Sequence, residues 1–125
     1  MADRIEWFSV IVPAGTPKAA SITYPMKFFQ GTVIEVDIKI PPGPAGNVGF
    51  YIAAGGSQYI PRTVGSFVIP DGDYLVWPMA NAINSGSWAL VAYNTDAWPH
   101  LIQVSFQVNE ISFQNASAIS SSVSL

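Results

Sequence analysis

Cysteine is absent from this 125-residue chain, which excludes disulfides, thiolate metal sites and cysteine nucleophiles. Charge is scarce as well. Only 5 Lys+Arg and 8 Asp+Glu are present, 10% of the residues, where an ordinary soluble domain carries about one-quarter. The five basic residues, Arg4, Lys18, Lys27, Lys39 and Arg62, are scattered. With a net charge of −3 and no basic cluster, the chain lacks the means to neutralise a phosphate backbone, so nucleic acid is not an expected partner. No apolar run approaches the roughly 20 residues that span a bilayer, and no membrane partner is expected. The first residues, Met1-Ala2-Asp3-Arg4-Ile5-Glu6, lack the basic n-region of a secretory signal peptide, so synthesis in the cytoplasm without export is expected.

Half of the chain is apolar, and the length suits one domain that buries roughly two-thirds of its unfolded surface. Thin charge cover on so small a domain implies that part of the surface faces other subunits. The periodicity is two. Thr32, Ile34, Val36, Ile38 and Ile40 form one face of a strand, opposite Val33, Glu35, Asp37 and Lys39. Val48, Phe50, Ile52 and Ala54 form a second face, opposite Asn47, Gly49, Tyr51 and Ala53. Ile102, Val104, Phe106 and Val108 form a third, opposite Leu101, Gln103, Ser105 and Gln107. Residues 4–12, 74–77 and 87–93 look apolar on both faces.

Turn chemistry separates these runs at Pro13–Pro17, Pro41–Gly46, Ala54-Gly55-Gly56, Pro70–Asp73 and Asn84-Ser85-Gly86. No dozen residues keep a helical stripe free of Pro and Gly. The expected fold is all-β: an antiparallel β-sandwich over residues 1–110, jelly-roll or Greek-key, with about eight short strands. Residues 111–125 form a polar C-terminal tail. They read either as a frayed terminus or as an arm that adds a strand to a neighbour. Asn115-Ala116-Ser117 fits a glycosylation acceptor, which has no bearing without export.

Catalytic chemistry has little to work with. His100 is the one histidine, and Asn94 and Asp96 lie near it in sequence. A His–Asp pair can orient an imidazole for base catalysis, but no nucleophile motif accompanies it and one His does not make a zinc site. An Asx-type turn at Asn94 and Asp96, with His100 capping the following strand, accounts for the same residues. Asp71 and Asp73 flank Gly72, yet the further ligands of a calcium loop are missing, so a hairpin turn is expected. Glu35 and Asp37 share one strand face, as glycosidase carboxylates do, and alternation continuing to Lys39 explains them as solvent-facing residues. No catalytic residue, cofactor or metal is assigned.

Aromatic residues carry more information: Trp7, Trp77, Trp88, Trp98 and five tyrosines. Trp88 is assigned to the core. Tyr59 and Trp98, next to prolines in loops, are candidates for contact with a partner, since aromatic rings anchor interfaces and stack on sugars.

Val12-Pro13-Ala14-Gly15-Thr16-Pro17, Ile40-Pro41-Pro42-Gly43-Pro44-Ala45-Gly46, Gly55-Gly56-Ser57-Gln58-Tyr59-Ile60-Pro61 and Ala92-Tyr93-Asn94-Thr95-Asp96-Ala97-Trp98-Pro99-His100 together resemble segments of small structural proteins of tailed bacteriophages. The resemblance implies a β-sandwich virion component of the capsid-decoration (cement) or head-fibre type. The function it implies is non-enzymatic. Copies, as a homo-oligomer with a trimer favoured, would sit on the capsid surface, bind major capsid protein and stabilise the assembled head. Interface candidates are the N-terminal strand (Ile5, Trp7, Phe8), the Pro-rich loop (Pro42, Pro44), Tyr59, Trp98 and the C-terminal tail (Ile119, Val123, Leu125). The alternatives are a carbohydrate- or receptor-binding module that uses Tyr59 and Trp98 with Asn94 or Asp96, and a tail or neck adaptor.

Overall fold

The computed structural model describes residues 4–84 and 86–109, and Ile119, Val123 and Leu125 lie outside them. Eight strands follow in chain order: β1 Arg4–Val12, β2 Ile22–Lys27, β3 Thr32–Lys39, β4 Val48–Ala54, β5 Ser57–Ile60, β6 Tyr74–Asn84, β7 Ser87–Asn94 and β8 His100–Asn109. They form two four-stranded sheets, β1-β8-β3-β6 and β2-β7-β4-β5, and every pairing is antiparallel. Apart from the tight β4–β5 hairpin, successive strands alternate between the sheets. This strand order is that of a jelly roll.

Local chemistry explains much of this pattern. The β4–β5 hairpin turns on Gly55 (φ 57°) and Gly56 (φ 84°), two left-handed positions in succession, as its short loop requires. Pro25 and Pro78 lie inside strands, and both strands, β2 and β6, are sheet edges, where a missing N–H leaves no ladder partner wanting.

The core lies between the sheets. Val48, Phe50, Ile52 and Ala54 of β4 and Ile102, Val104, Phe106 and Val108 of β8 are all buried, as their alternation predicts. Trp88 joins the layers through tilted contacts with Phe106 at 5.2 Å and Tyr59 at 5.8 Å. Phe8 and Phe28 complete an aromatic cluster around Phe106.

Strand β3 departs from the expected alternation. Val33 is buried and Ile34 is only half-buried, the reverse of the assignment from periodicity. The cause is a bulge. Val33 pairs with Val108 and Glu35 with Gln107, so Ile34 is an extra residue and the parity of the strand changes there. From Val36 onward the inward positions are as expected.

Candidate functional site

The candidate contact residues fall in three separate places. Strand alternation splits the N-terminal group. Ile5 and Trp7 point outward, with Trp7 71% exposed, whereas Phe8 faces the core and packs edge-on against Phe106 at 5.8 Å. Consecutive residues of a strand cannot share a face, so Phe8 is not a surface contact. In the Pro-rich loop Pro42 is exposed and Pro44 is buried, which removes Pro44 as well. Tyr59 is half-buried on Trp88 instead of standing free. Trp98 is 70% exposed.

Pro42 and Trp98 belong to the same end of the sandwich, where the β1–β2, β3–β4, β5–β6 and β7–β8 loops meet. Backbone hydrogen bonds tie these loops together: Gly15 N–H to Asp96 O (3.1 Å), Thr16 and Asn94 reciprocally, and Thr95 N–H to Asn47 O (2.9 Å). The Gly43 N–H donates to Asp71 Oδ1 at 2.9 Å. Asp71 and Asp73 thus organise a crossover loop that feeds β6, where a tight hairpin was expected.

Asn94 is the fully buried hub. Its Nδ2 donates to Val12 O (3.0 Å) and to Trp98 O (2.8 Å), and its Oδ1 accepts the Asp96 N–H (2.9 Å). That last bond is the Asx turn expected from the sequence. Asp96 Oδ2 pairs with His100 Nε2 at 2.7 Å, and its Oδ1 accepts the Ala97 N–H at 2.7 Å. The hydrogen bond from His100, then that from Ala97, holds the Asp96 carboxyl below the usual carboxylate range. Both carboxylate oxygens therefore fold the loop, and the pair has a structural duty at the start of β8.

The outer face of the β1-β8-β3-β6 sheet holds a second constellation. Register places Trp7, Ser105, Asp37 and Val76 in one row across the four strands. The next row is Ser9, Gln103, Lys39 and Tyr74, and the preceding one is Ile5, Gln107, Glu35 and Pro78. Apart from Ser9, the edge positions of these rows are therefore apolar or aromatic, and polar side chains occupy the two central strands. A groove of about 240 Å³ runs over this polar floor, lined by Trp7, Asp37, Lys39, Tyr74, Gln103 and Ser105.

Asp37 is the most connected group on that floor. Its Oδ2 accepts from Tyr74 Oη (3.1 Å) and Gln107 Nε2 (3.3 Å), and Gln107 also donates to Glu35 Oε2. Asp37 Oδ1 is shielded from solvent and accepts no hydrogen bond among the described residues. Its hydrogen bond with Asp37, burial and the charge of that neighbour push the Glu35 carboxyl up. Donating to Asp37 pushes the Tyr74 phenol above its usual range. Glu35 and Asp37 share a face as expected, and they form one hydrogen-bonded unit with Gln107 instead of standing apart in solvent.

Tyr74, Gln103 and Ser105 were not singled out from sequence. Their outward positions were legible for β8, but their neighbours depend on strand order. A larger hollow, about 420 Å³, lies on the other sheet beside Tyr51, Gln58, Val64 and Val91. There the Gln58 amide is occupied by the carbonyls of Pro61, Thr63 and Ser66, so it fastens the β5–β6 loop. Among the described residues no group of three His, Cys, Asp or Glu side chains could hold a metal ion, and no helix is long and apolar enough to cross a membrane.

No family model matches the sequence, and no curated protein matches it. Solved structures do share its architecture. The protein FlhE superposes with a TM-score of 0.51 at 12% identity, over 85% of this chain and 96% of its own. The pre-peptidase C-terminal domain of collagenase from Bacillus anthracis follows at 0.46 and 8% identity, over 79% and 87%. The Yersinia pseudotuberculosis-derived mitogen stands at 0.43 and 13% identity, over 86% and 87%. At such identities the likeness to FlhE is one of fold alone: this chain is a small antiparallel β-sandwich.

Proposed function

We propose that the chain is a non-enzymatic bacteriophage virion protein, a head-decoration module that binds assembled major capsid protein through the loop end of the jelly roll. The observation that carries this reading is Trp98. Its side chain is 70% exposed, while its backbone carbonyl is held by the buried Asn94 amide. An aromatic ring on a locked loop is a pre-organised anchor, with little loop entropy left to lose on docking. Exposed Pro42 stands on the same end and adds stiffness. The sequence resemblance and the thin charge cover support the same reading.

The mechanism is linkage. A module that binds only the closed lattice favours that lattice by mass action and opposes its opening. Copies act as a closed oligomer, a trimer, on the capsid surface. Co-sedimentation with assembled heads tests the docking, and light scattering after size exclusion tests the oligomer. Trp98→Ala should lower head binding at least tenfold while leaving the melting temperature and solution mass unchanged. Wild-type binding by that variant, or no co-sedimentation of the wild-type chain, would overturn the assignment.

A further inference from the structure

We infer that the groove on the outer face of the β1-β8-β3-β6 sheet is a binding site for the ring of a neutral saccharide, separate from the end that carries Trp98. Four observations converge on that ligand chemistry.

The first is the walls. Trp7 is 71% exposed and Tyr74 65% exposed, and they stand on strands β1 and β6 at opposite edges of the sheet. Free apolar ring faces of this size are ordinarily buried or matched to a partner. A pyranose offers such a partner, because its axial C–H bonds give it an apolar face that stacks on an indole.

The second is the floor. Between those walls lie the Asp37 carboxylate, the Gln103 amide, the Ser105 hydroxyl and the Lys39 ammonium. This set offers both acceptors and donors. Vicinal sugar hydroxyls, each both donor and acceptor, match it, whereas an apolar ligand would leave it unpaired. Asp37 supplies the carboxylate of the set, and its Oδ2 already accepts from Tyr74 and Gln107, which fixes its position.

The third is charge. Lys39 is the one cation lining the groove, and Asp37 lines it too, with Glu35 beside Asp37. The two lining charges balance, so the match is to neutral hexoses or N-acetylhexosamines.

The fourth is size and rigidity. At about 240 Å³ the groove falls below the roughly 300–1,000 Å³ of drug-sized pockets, the scale of a single ring. Its floor is built on the two central strands, β8 and β3, which ladders hold on both sides. Sites on such elements keep their geometry better than loop-borne ones.

The test uses the complete chain. It is applied to an array of neutral hexose and N-acetylhexosamine oligosaccharides, and titrated with glucose, galactose, mannose and N-acetylglucosamine while amide and indole resonances are followed. Saturable shifts are expected at the Trp7 indole N–H and the Gln103 side-chain amide. Trp7→Ala and Asp37→Asn should each weaken binding at least tenfold with unchanged melting temperature. Trp98→Ala should bind sugar like the wild-type chain, and Trp7→Ala should still bind heads. A silent array and absent shifts would overturn the inference, as would sugar binding that survives Trp7→Ala. Loss of oligomeric mass in Trp7→Ala, with no sugar response in the wild-type chain, would reassign the groove as a contact between copies. Head binding is read separately, so either conclusion can fail while the other stands.

Discussion

The side-chain amide of Asn94, fully buried, holds the carbonyl of Trp98 at 2.8 Å and so fixes the backbone beneath the most exposed aromatic ring of the loop end. The same amide binds Val12 O at the close of β1, and the Asn94 Oδ1 closes the turn at Asp96. Asn94→Ala leaves the Val12 and Trp98 carbonyls and the Asp96 N–H without these partners. A loss of about 2 kcal/mol or more is expected, since buried polar groups without partners are costly. Chemical denaturation of the two proteins checks the magnitude. Faster amide exchange at residues 95–98 should accompany the loss.

Gly49 of β4 lies opposite Tyr93 of β7, and a Cβ built on Gly49 would meet the Tyr93 ring at 2.3 Å. That ring also packs on Phe67 at 5.1 Å, and Lys18 Nζ lies 5.9 Å from its centroid, so it has little room to retreat. Gly49→Ala should therefore destabilise the fold by about 1–3 kcal/mol, the usual range for overpacking. Gly49→Ala combined with Tyr93→Leu should recover part of the loss. Thermal melts of the single and double variants decide it.

The Asp96 carboxyl titrates below its ordinary range because His100 and then the Ala97 N–H bind its charged form. A folded-state value below the unfolded one contributes stability that is fully present above the unfolded carboxylate range, near 3.9. That contribution is lost as pH falls through the folded value. His100→Ala should raise the Asp96 midpoint towards normal without restoring it fully, because Ala97 still donates. Carbon-detected NMR titration of the carboxyl reads the shift directly.

Glu35 behaves in the opposite sense. Its carboxyl is raised by the hydrogen bond with Asp37, by burial and by the neighbouring charge. Folding then favours the protonated form. Stability associated with this group is present below the unfolded value and declines as pH rises through the folded one. Glu35→Gln keeps an acceptor for Gln107 and removes the charge. It should be neutral or slightly stabilising at pH 7, and the stability difference from the wild-type chain should vanish in acid. Paired urea melts at pH 7 and pH 3.5 test the sign.

Tyr74 donates to Asp37 Oδ2, and its phenol is raised chiefly for that reason. Asp37→Asn should bring the Tyr74 titration back towards the usual value near 10, followed by ultraviolet difference absorbance. Tyrosines that make no contact with Asp37 should keep their titration unchanged, which makes them an internal control.

Much of the architecture was determined by the sequence itself. Alternation in residues 48–54 and 102–108 identified inward faces correctly, because a pleated strand buries every second side chain and nothing interrupts the pleat there. The same logic went astray at Val33 and Ile34, since a bulge inserts a residue without altering composition. Strands β2 and β5 escaped notice. Strand β2 carries Pro25, and β5 is only four residues long. The Asx turn at Asn94 was legible because its partners are two residues apart.

The groove was not legible, and the reason is physical. Trp7, Asp37, Tyr74 and Gln103 come from four strands that are distant in sequence, and only the order β1-β8-β3-β6 makes them neighbours. Periodicity tells which way a side chain points; it carries no information about which strand lies alongside. That choice is made by packing the two sheets over one core, so tertiary structure alone decided which side chains line the groove.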